Sequence, residues 1–131
     1  MTKSMISISD LEFGKIYISF VYFDENDSDG KKRPVILFKN NKDTATLFKV
    51  SSKLDTPFNQ KYGYFIKDWE QTGLNKPSVV KAHPNDIFES PISQLNTIIG
   101  ELSDRDKIGL LEKHIEINRY LLRKRNNNLE L

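Results

Sequence analysis

The feature that most restricts what this chain can fold into is the run Lys15–Phe23, where Ile16, Ile18, Phe20 and Tyr22 alternate with Tyr17, Ser19, Val21 and Phe23. Successive side chains of a strand point to opposite faces, so this run is mostly apolar on both. It therefore belongs inside a sheet that is covered on each side. Shorter runs of the same β-branched and aromatic character follow at Pro34–Phe38, Thr44–Val50, Tyr62–Ile66, Ser78–Ala82 and Ile98–Leu102, and Asp86–Phe88 is long enough to pair briefly. The polar turn Asn40–Asp43 joins two of these runs as an antiparallel hairpin. Gly100, inside the last run, marks a bulge or a close backbone approach.

Between the strands, Pro57 blocks continuation of the third run past Ser51-Ser52-Lys53, so Lys53–Lys61 reads as a surface loop. Lys67–Lys76 reads as a long connection that exposes Trp69. Ser90-Pro91 has the cap-then-proline pattern of a short helix reaching about Leu95. Ser103 caps a long helix, with Asp106 three residues on as its capping-box partner. Arg123, Lys124 and Arg125 suit the last turn of that helix, and Asn126–Asn128 end it. Ile108, Leu111, Ile115 and Leu122, with Leu110, Ile117 and Leu121 beside them, form an apolar stripe that docks on the sheet or on a partner. The expected fold is mainly β (α+β): an SH3-like small barrel of five to six curved strands over about 14–102, a short helix, and a C-terminal amphipathic helix at about 104–125. It forms one domain across residues 1–131, preceded by an arm at Met1–Glu12 with a helical turn near Ser9–Leu11.

Composition narrows the function classes. A net charge of +2 with 29% charged residues excludes binding of a polyanion by bulk charge, so such a ligand must meet a local patch. No window reaches the roughly 18 apolar residues of a membrane span, and Met1–Asp10 lacks a secretion-signal core, so a cytoplasmic location is expected. The absence of cysteine removes disulfides, thiolate metal sites and cysteine nucleophiles, and two histidines, His83 and His114, leave little for zinc. Glu25, Asp27, Asp29 and Gly30 are spaced like part of a calcium loop, but Ile36 stands where the bidentate glutamate belongs. No cofactor is expected.

The local basic patch is Gly30-Lys31-Lys32-Arg33-Pro34, at the mouth of the second run. A charge cluster of this kind is commonly a solvated loop. Arg33 is nonetheless placed to grip a phosphate, because a guanidinium forks onto two oxygens and keeps its proton at neutral pH.

The order of elements resembles the PemK/MazF toxins of bacterial toxin–antitoxin pairs. The residues that carry the likeness are Gly14-Lys15-Ile16-Tyr17, Lys32-Arg33-Pro34-Val35, Val50-Ser51-Ser52-Lys53, Gly73-Leu74-Asn75-Lys76-Pro77-Ser78-Val79-Val80 and Gly100-Glu101-Leu102-Ser103. The resemblance implies a CcdB/MazF-like homodimer that cuts single-stranded RNA without a metal and is inhibited by a small antitoxin with an acidic, flexible segment. The products would be 2′,3′-cyclic phosphate and 5′-hydroxyl ends. It places the catalytic arginine at Arg33 and the strand-end hydroxyl, more usually a threonine, at Ser51. Lys81 and His83 stand where many relatives carry an arginine and a carboxylate, with His83 a candidate base. Lys31, Lys32, Ser52, Lys53 and Trp69 are the further candidates for RNA contact; Tyr22, Tyr62 and Tyr64 can stack bases, but core packing is the expected role for most of them. His114, mid-helix beside the apolar stripe, is expected to be structural. A non-catalytic RNA- or partner-binding relative is the alternative, and a gyrase-targeting toxin of similar fold a weaker one.

Overall fold

The computed structural model describes residues 12–21, 31–95 and 97–129. Residues 1–11 of the expected arm, Tyr22, Phe23 and the acidic part of the loop before Lys31 lie outside them. Strands run at Lys15–Val21 (β1), Lys31–Asn40 (β2), Thr44–Ser51 (β3), Gly63–Phe65 (β4), Val79–Lys81 (β5), Ile87–Pro91 (β6) and Thr97–Glu101 (β7). Helices occupy Pro57–Tyr62 (α1) and Asp104–Leu129 (α2). The seven strands form one antiparallel sheet ordered β4-β5-β3-β2-β1-β7, with β6 also paired to β3. The mainly β fold with a terminal helix is as expected. The sheet holds more strands than expected, however, and among the described residues it stays open instead of closing as a barrel.

Strand alternation produces two cores, one on each face. Ile16, Ile36, Phe48, Val50 and Val80 point to the face that α2 covers through Leu110 and Ile117. Tyr17, Val35, Leu37, Ala45 and Leu47 point to the other, which Leu95, Phe88 and Ile98 help to close. Bilateral burial of the first run is thereby realised: Ile16 and Tyr17 are both fully buried, on opposite faces. Near Gly100 the β1–β7 register shifts between Ile16 and Tyr17. A Cβ on Gly100 would collide with the Thr72 carbonyl, and one on Gly73, at φ 88°, with the Ile99 carbonyl. The bulge and the close approach expected of Gly100 therefore both occur.

Several local expectations change. Instead of a surface loop, residues 57–62 form α1, whose N-cap Thr56 accepts a hydrogen bond from the Asn59 N–H and whose first residue is Pro57. Proline stops a strand and starts a helix by the same locked φ and missing donor. Ser90 and Pro91 finish strand β6, and only one 3₁₀ turn, Ile92–Gln94, follows. The helix α2 runs through Asn126–Asn128 to Leu129.

Its apolar stripe is also turned from the expected one. Leu110, Ile117 and Leu121, with His114, make the docking seam, while Ile108, Ile115 and Leu122 are 58%, 46% and 56% exposed. Both sets repeat every seven residues, so spacing alone does not choose between them; packing against the sheet selects Leu110, Ile117 and Leu121.

The α2 N-terminus is held by a polar clamp. Ser103 Oγ accepts from the Asp106 N–H at 3.3 Å and donates to Asp68 Oδ2 at 2.6 Å. The Asp106 carboxylate, fully buried, accepts from Tyr64 Oη at 2.6 Å and from the Lys67 and Asp68 N–H groups at 2.9 Å. Arg105 donates to both Asp68 oxygens at 2.9 and 2.8 Å and, with Ser103, lowers that carboxyl to about 2. Burial first, then the bond to Asp106, raises the Tyr64 hydroxyl well above its usual value.

Candidate active site

The face opposite α2 collects the basic candidates. Val35 pairs with Lys49, Lys49 with Lys81, and Lys81 with Gly63, so these residues form one row across β2, β3, β5 and β4. Two residues further, Ser19 pairs with Arg33 on one side, and Ser51 with Val79 and Val79 with Phe65 on the other. By the two-residue period of strands, Arg33, Ser51, Lys49 and Lys81 all belong to this face. Arg33 and Ser51 lie two residues beyond the Val35–Lys49 pair, where the β2–β3 ladder ends. Arg33, Lys49 and Lys81 thus bring three cations to one face.

Ser51 is 8% exposed, and its Oγ accepts from the Lys53 N–H at 3.0 Å. That bond uses a lone pair and leaves the hydroxyl proton to be donated elsewhere. The Lys53 carbonyl in turn accepts from Asn59 Nδ2 at 2.8 Å, and Asn59 Oδ1 accepts from Lys81 Nζ at 3.1 Å. Asn59, buried on α1, thus links the Ser51 segment to the Lys81 ammonium. The Lys81 Nζ also lies 5.3 Å from the Phe58 ring centroid, and that ring is 43% exposed.

His83 follows β5, is 8% exposed, and packs its ring 5.4 Å from Phe58 and 4.8 Å from Tyr62. Its Nδ1 accepts from the Asn85 N–H at 3.1 Å, capping the 3₁₀ turn Pro84–Asp86. A neutral ring with an accepting Nδ1 carries its proton on Nε2, so it presents a donor. The other histidine is structural: His114 Nδ1 lies 3.0 Å from the Ala82 carbonyl and the ring stands edge-on to Phe38 and Phe48.

Lys81 and His83 therefore meet around Phe58, and Arg33 and Ser51 share the sheet face with Lys81. Lys32 is exposed one residue before Arg33, on the alternate side of β2, and Ser52 and Lys53 are exposed just past Ser51. The backbone of Lys31 opens β2. Trp69 does not join them: it lies in the 3₁₀ turn Trp69–Gln71 and is half-buried against the core under α2. The expected exposure fails because a large ring beside an apolar cluster gains more by packing. Tyr64 likewise serves the α2 clamp.

Lys49, Asn59 and Phe58 escaped sequence reasoning. Lys49 was legible by alternation, since it shares the strand parity of Ser51. Asn59 and Phe58 sat in a stretch read as loop, and only the Thr56-Pro57 cap signal could have revealed their helix. Among the described residues no cluster of three His, Asp or Glu side chains suits a metal ion, and no helix is long and apolar enough to cross a membrane.

No family model and no curated protein matches the sequence. Solved structures do. The Mycobacterium tuberculosis toxin MazF-mt6 is 20% identical, with a TM-score of 0.60 over 80% of this chain and 96% of its own. An endoribonuclease in complex with its cognate antitoxin, from a mycobacterial species, is 12% identical, with a TM-score of 0.61 over 80% and 91%. A structure described as an Mtb toxin is 20% identical, with a TM-score of 0.53 over 65% and 91%. The chain has the fold of these toxins.

Proposed function

We propose that this chain is a toxin-type endoribonuclease that cleaves single-stranded RNA without a metal and is held inactive by a cognate antitoxin. The observation that carries the reading is the convergence of Arg33, Ser51, Lys49 and Lys81 on one sheet face. The shared fold supports it, since one neighbour is an endoribonuclease bound to its antitoxin. In this reaction the 2′-oxygen attacks the adjacent phosphorus, its proton passes to a base, and the bond to the 5′-oxygen breaks as that oxygen gains a proton. The ends left are a 2′,3′-cyclic phosphate and a 5′-hydroxyl. Arg33 forks onto the phosphate, Lys81 adds a second fixed charge where the phosphorane-like transition state gathers negative charge, and Ser51 donates to a phosphate or ribose oxygen. With Nδ1 accepting from the Asn85 N–H, neutral His83 offers its Nε2–H as a hydrogen-bond donor to the phosphate or the departing 5′-oxygen, in place of the base expected from sequence.

A second copy of the chain packs against the exposed Ile108, Ile115 and Leu122, whose seven-residue spacing presents one apolar line along α2. The antitoxin's acidic segment lies across the basic face and blocks RNA. The cytoplasm, where mRNA is available, is the site of action.

The test incubates the purified full chain with mixed single-stranded RNA in EDTA and maps ends by primer extension. Cuts bearing cyclic phosphates are expected, and Arg33→Ala should slow them roughly 10²–10³-fold with an unchanged melting temperature. Persistent cutting by that variant removes Arg33 from the mechanism. RNA binding without any cut would instead favour a non-catalytic relative, consistent with the local capping role of His83.

A further inference from the structure

Beyond the sheet face, an open groove of ≈ 350 Å³ separates α1 from α2, lined by Lys61, Tyr62, Glu116, Ile117, Tyr120 and Arg123. Lys61 Nζ sits 5.2 Å from the ring centroids of both Tyr62 and Tyr120, and Lys124 Nζ 6.0 Å from that of Tyr120. The acid among the lining residues, Glu116, is shared with Lys113 at 3.3 Å. The groove is therefore net cationic, with two half-buried aromatic rings along it.

It is also continuous with the candidate active site. Tyr62 packs against His83 at 4.8 Å and against Phe58 at 4.9 Å, and Phe58 reaches Lys81. A phenylalanine left 43% exposed beside a site cation offers a flat apolar surface to a ligand. Cations that follow a backbone while rings accept bases are the arrangement by which proteins hold single strands without base readout. An acidic protein segment would use the cations but has no need of a row of rings.

We propose that this groove is a second single-stranded RNA subsite: it receives the nucleotides flanking the scissile bond, stacks bases on Phe58, Tyr62 and Tyr120, and meets phosphates with Lys61, Arg123 and Lys124. The assignment rests on the ribonuclease reading and extends the RNA path around the β4 edge of the sheet towards α2. Tyr120 and Arg123 are binding residues in it, remote from the reacting phosphate.

The test measures fluorescence anisotropy of the full chain with uncleavable 2′-O-methyl RNAs of mixed sequence, roughly 15 and roughly 5 nucleotides long, lengths that bracket single-strand site sizes. Tyr120→Ala should weaken binding of the long RNA on the order of tenfold, Tyr120→Phe should restore it, and the short RNA should bind as it does to the unaltered chain. Arg123→Gln should flatten the dependence of log Kd on log salt for the long RNA by about 0.7. Long-RNA binding unchanged in Tyr120→Ala and Arg123→Gln overturns the proposal, and the groove then serves another ligand such as a protein segment. Equal weakening of both lengths also overturns it, because a generally perturbed fold would do that. In either case, Arg33-dependent cleavage by the unaltered chain leaves the ribonuclease reading standing; neither binding nor cleavage by the unaltered chain removes both.

Discussion

The two faces of the sheet handle charge in opposite ways. Under α2, the Asp106 carboxylate is fully buried yet accepts bonds from Tyr64 and from two backbone N–H groups, and Asp68 beside it is gripped by Arg105. Charge there is answered within the chain, and its effect is to fix where the helix starts. On the other face, Arg33, Lys49 and Lys81 fall on two adjacent rows, and Lys81 is tied to Asn59. Cations gathered on one face favour the approach of an anion. Substitution should therefore separate the two clusters, the one under α2 governing stability and the other RNA cleavage.

A pair of substitutions breaks or sharpens this contrast most strongly. Arg33→Ala should cost roughly 10²–10³ in cleavage rate with little change in urea midpoint. Asp106→Ala should do the reverse, losing roughly 3 kcal/mol of stability by orphaning buried donors, while the protein that remains folded cuts RNA normally. If both variants lose both properties, the faces are not separable. Next in size is the link through Asn59. Asn59→Ala should lower cleavage roughly tenfold by releasing Lys81 Nζ, and a double-mutant cycle with Lys81→Ala should show coupling of roughly 1 kcal/mol. Strict additivity would show that Asn59 does not act through Lys81.

The assembly prediction sits between these and the acid response. Ile115→Lys should convert a dimer to a monomer in sedimentation at unchanged melting temperature; a monomeric unaltered chain removes the proposed α2 contact. Smallest is the response to acid. The Asp68 carboxyl is held at about 2 in the folded chain, below its ordinary 3.8, chiefly by Arg105. Its contribution is therefore present above pH 4 and lost as pH falls towards 2. Urea midpoints of the unaltered chain and Asp68→Asn should differ modestly at pH 5 and by progressively less as pH falls towards 2, since an exposed pair contributes little. A difference as large at pH 2 as at pH 5 would assign it to something other than that charge.

Much of the fold was legible because strand signals are local. Alternation in the first run, the Asn40–Asp43 turn and the Ser103 cap each depend on residues within a few positions of one another. The same locality misled at Pro57 and Ser90-Pro91, where proline can end one element or open another and only the neighbouring strands decide. Arg33 stood out by its chemistry. Lys49 did not, because a strand lysine is ordinary even though its parity with Ser51 already set the two on one face, and Asn59 is informative only through the lysine and carbonyl it joins.

By itself, then, the sequence determined that the chain makes a two-sided sheet followed by one long capped helix, because alternation, turn residues and caps act over a few residues. It also singled out Arg33, whose guanidinium cannot be neutralised by its surroundings. The tertiary structure decided which side of α2 meets the core, leaving Ile108, Ile115 and Leu122 outside. It also decided that Arg33, Ser51, Lys49 and Lys81 share a face and that α1 ties Asn59 to Lys81. Those facts are set by register between strands far apart in the chain, where a shift of one residue would turn every side chain to the other face.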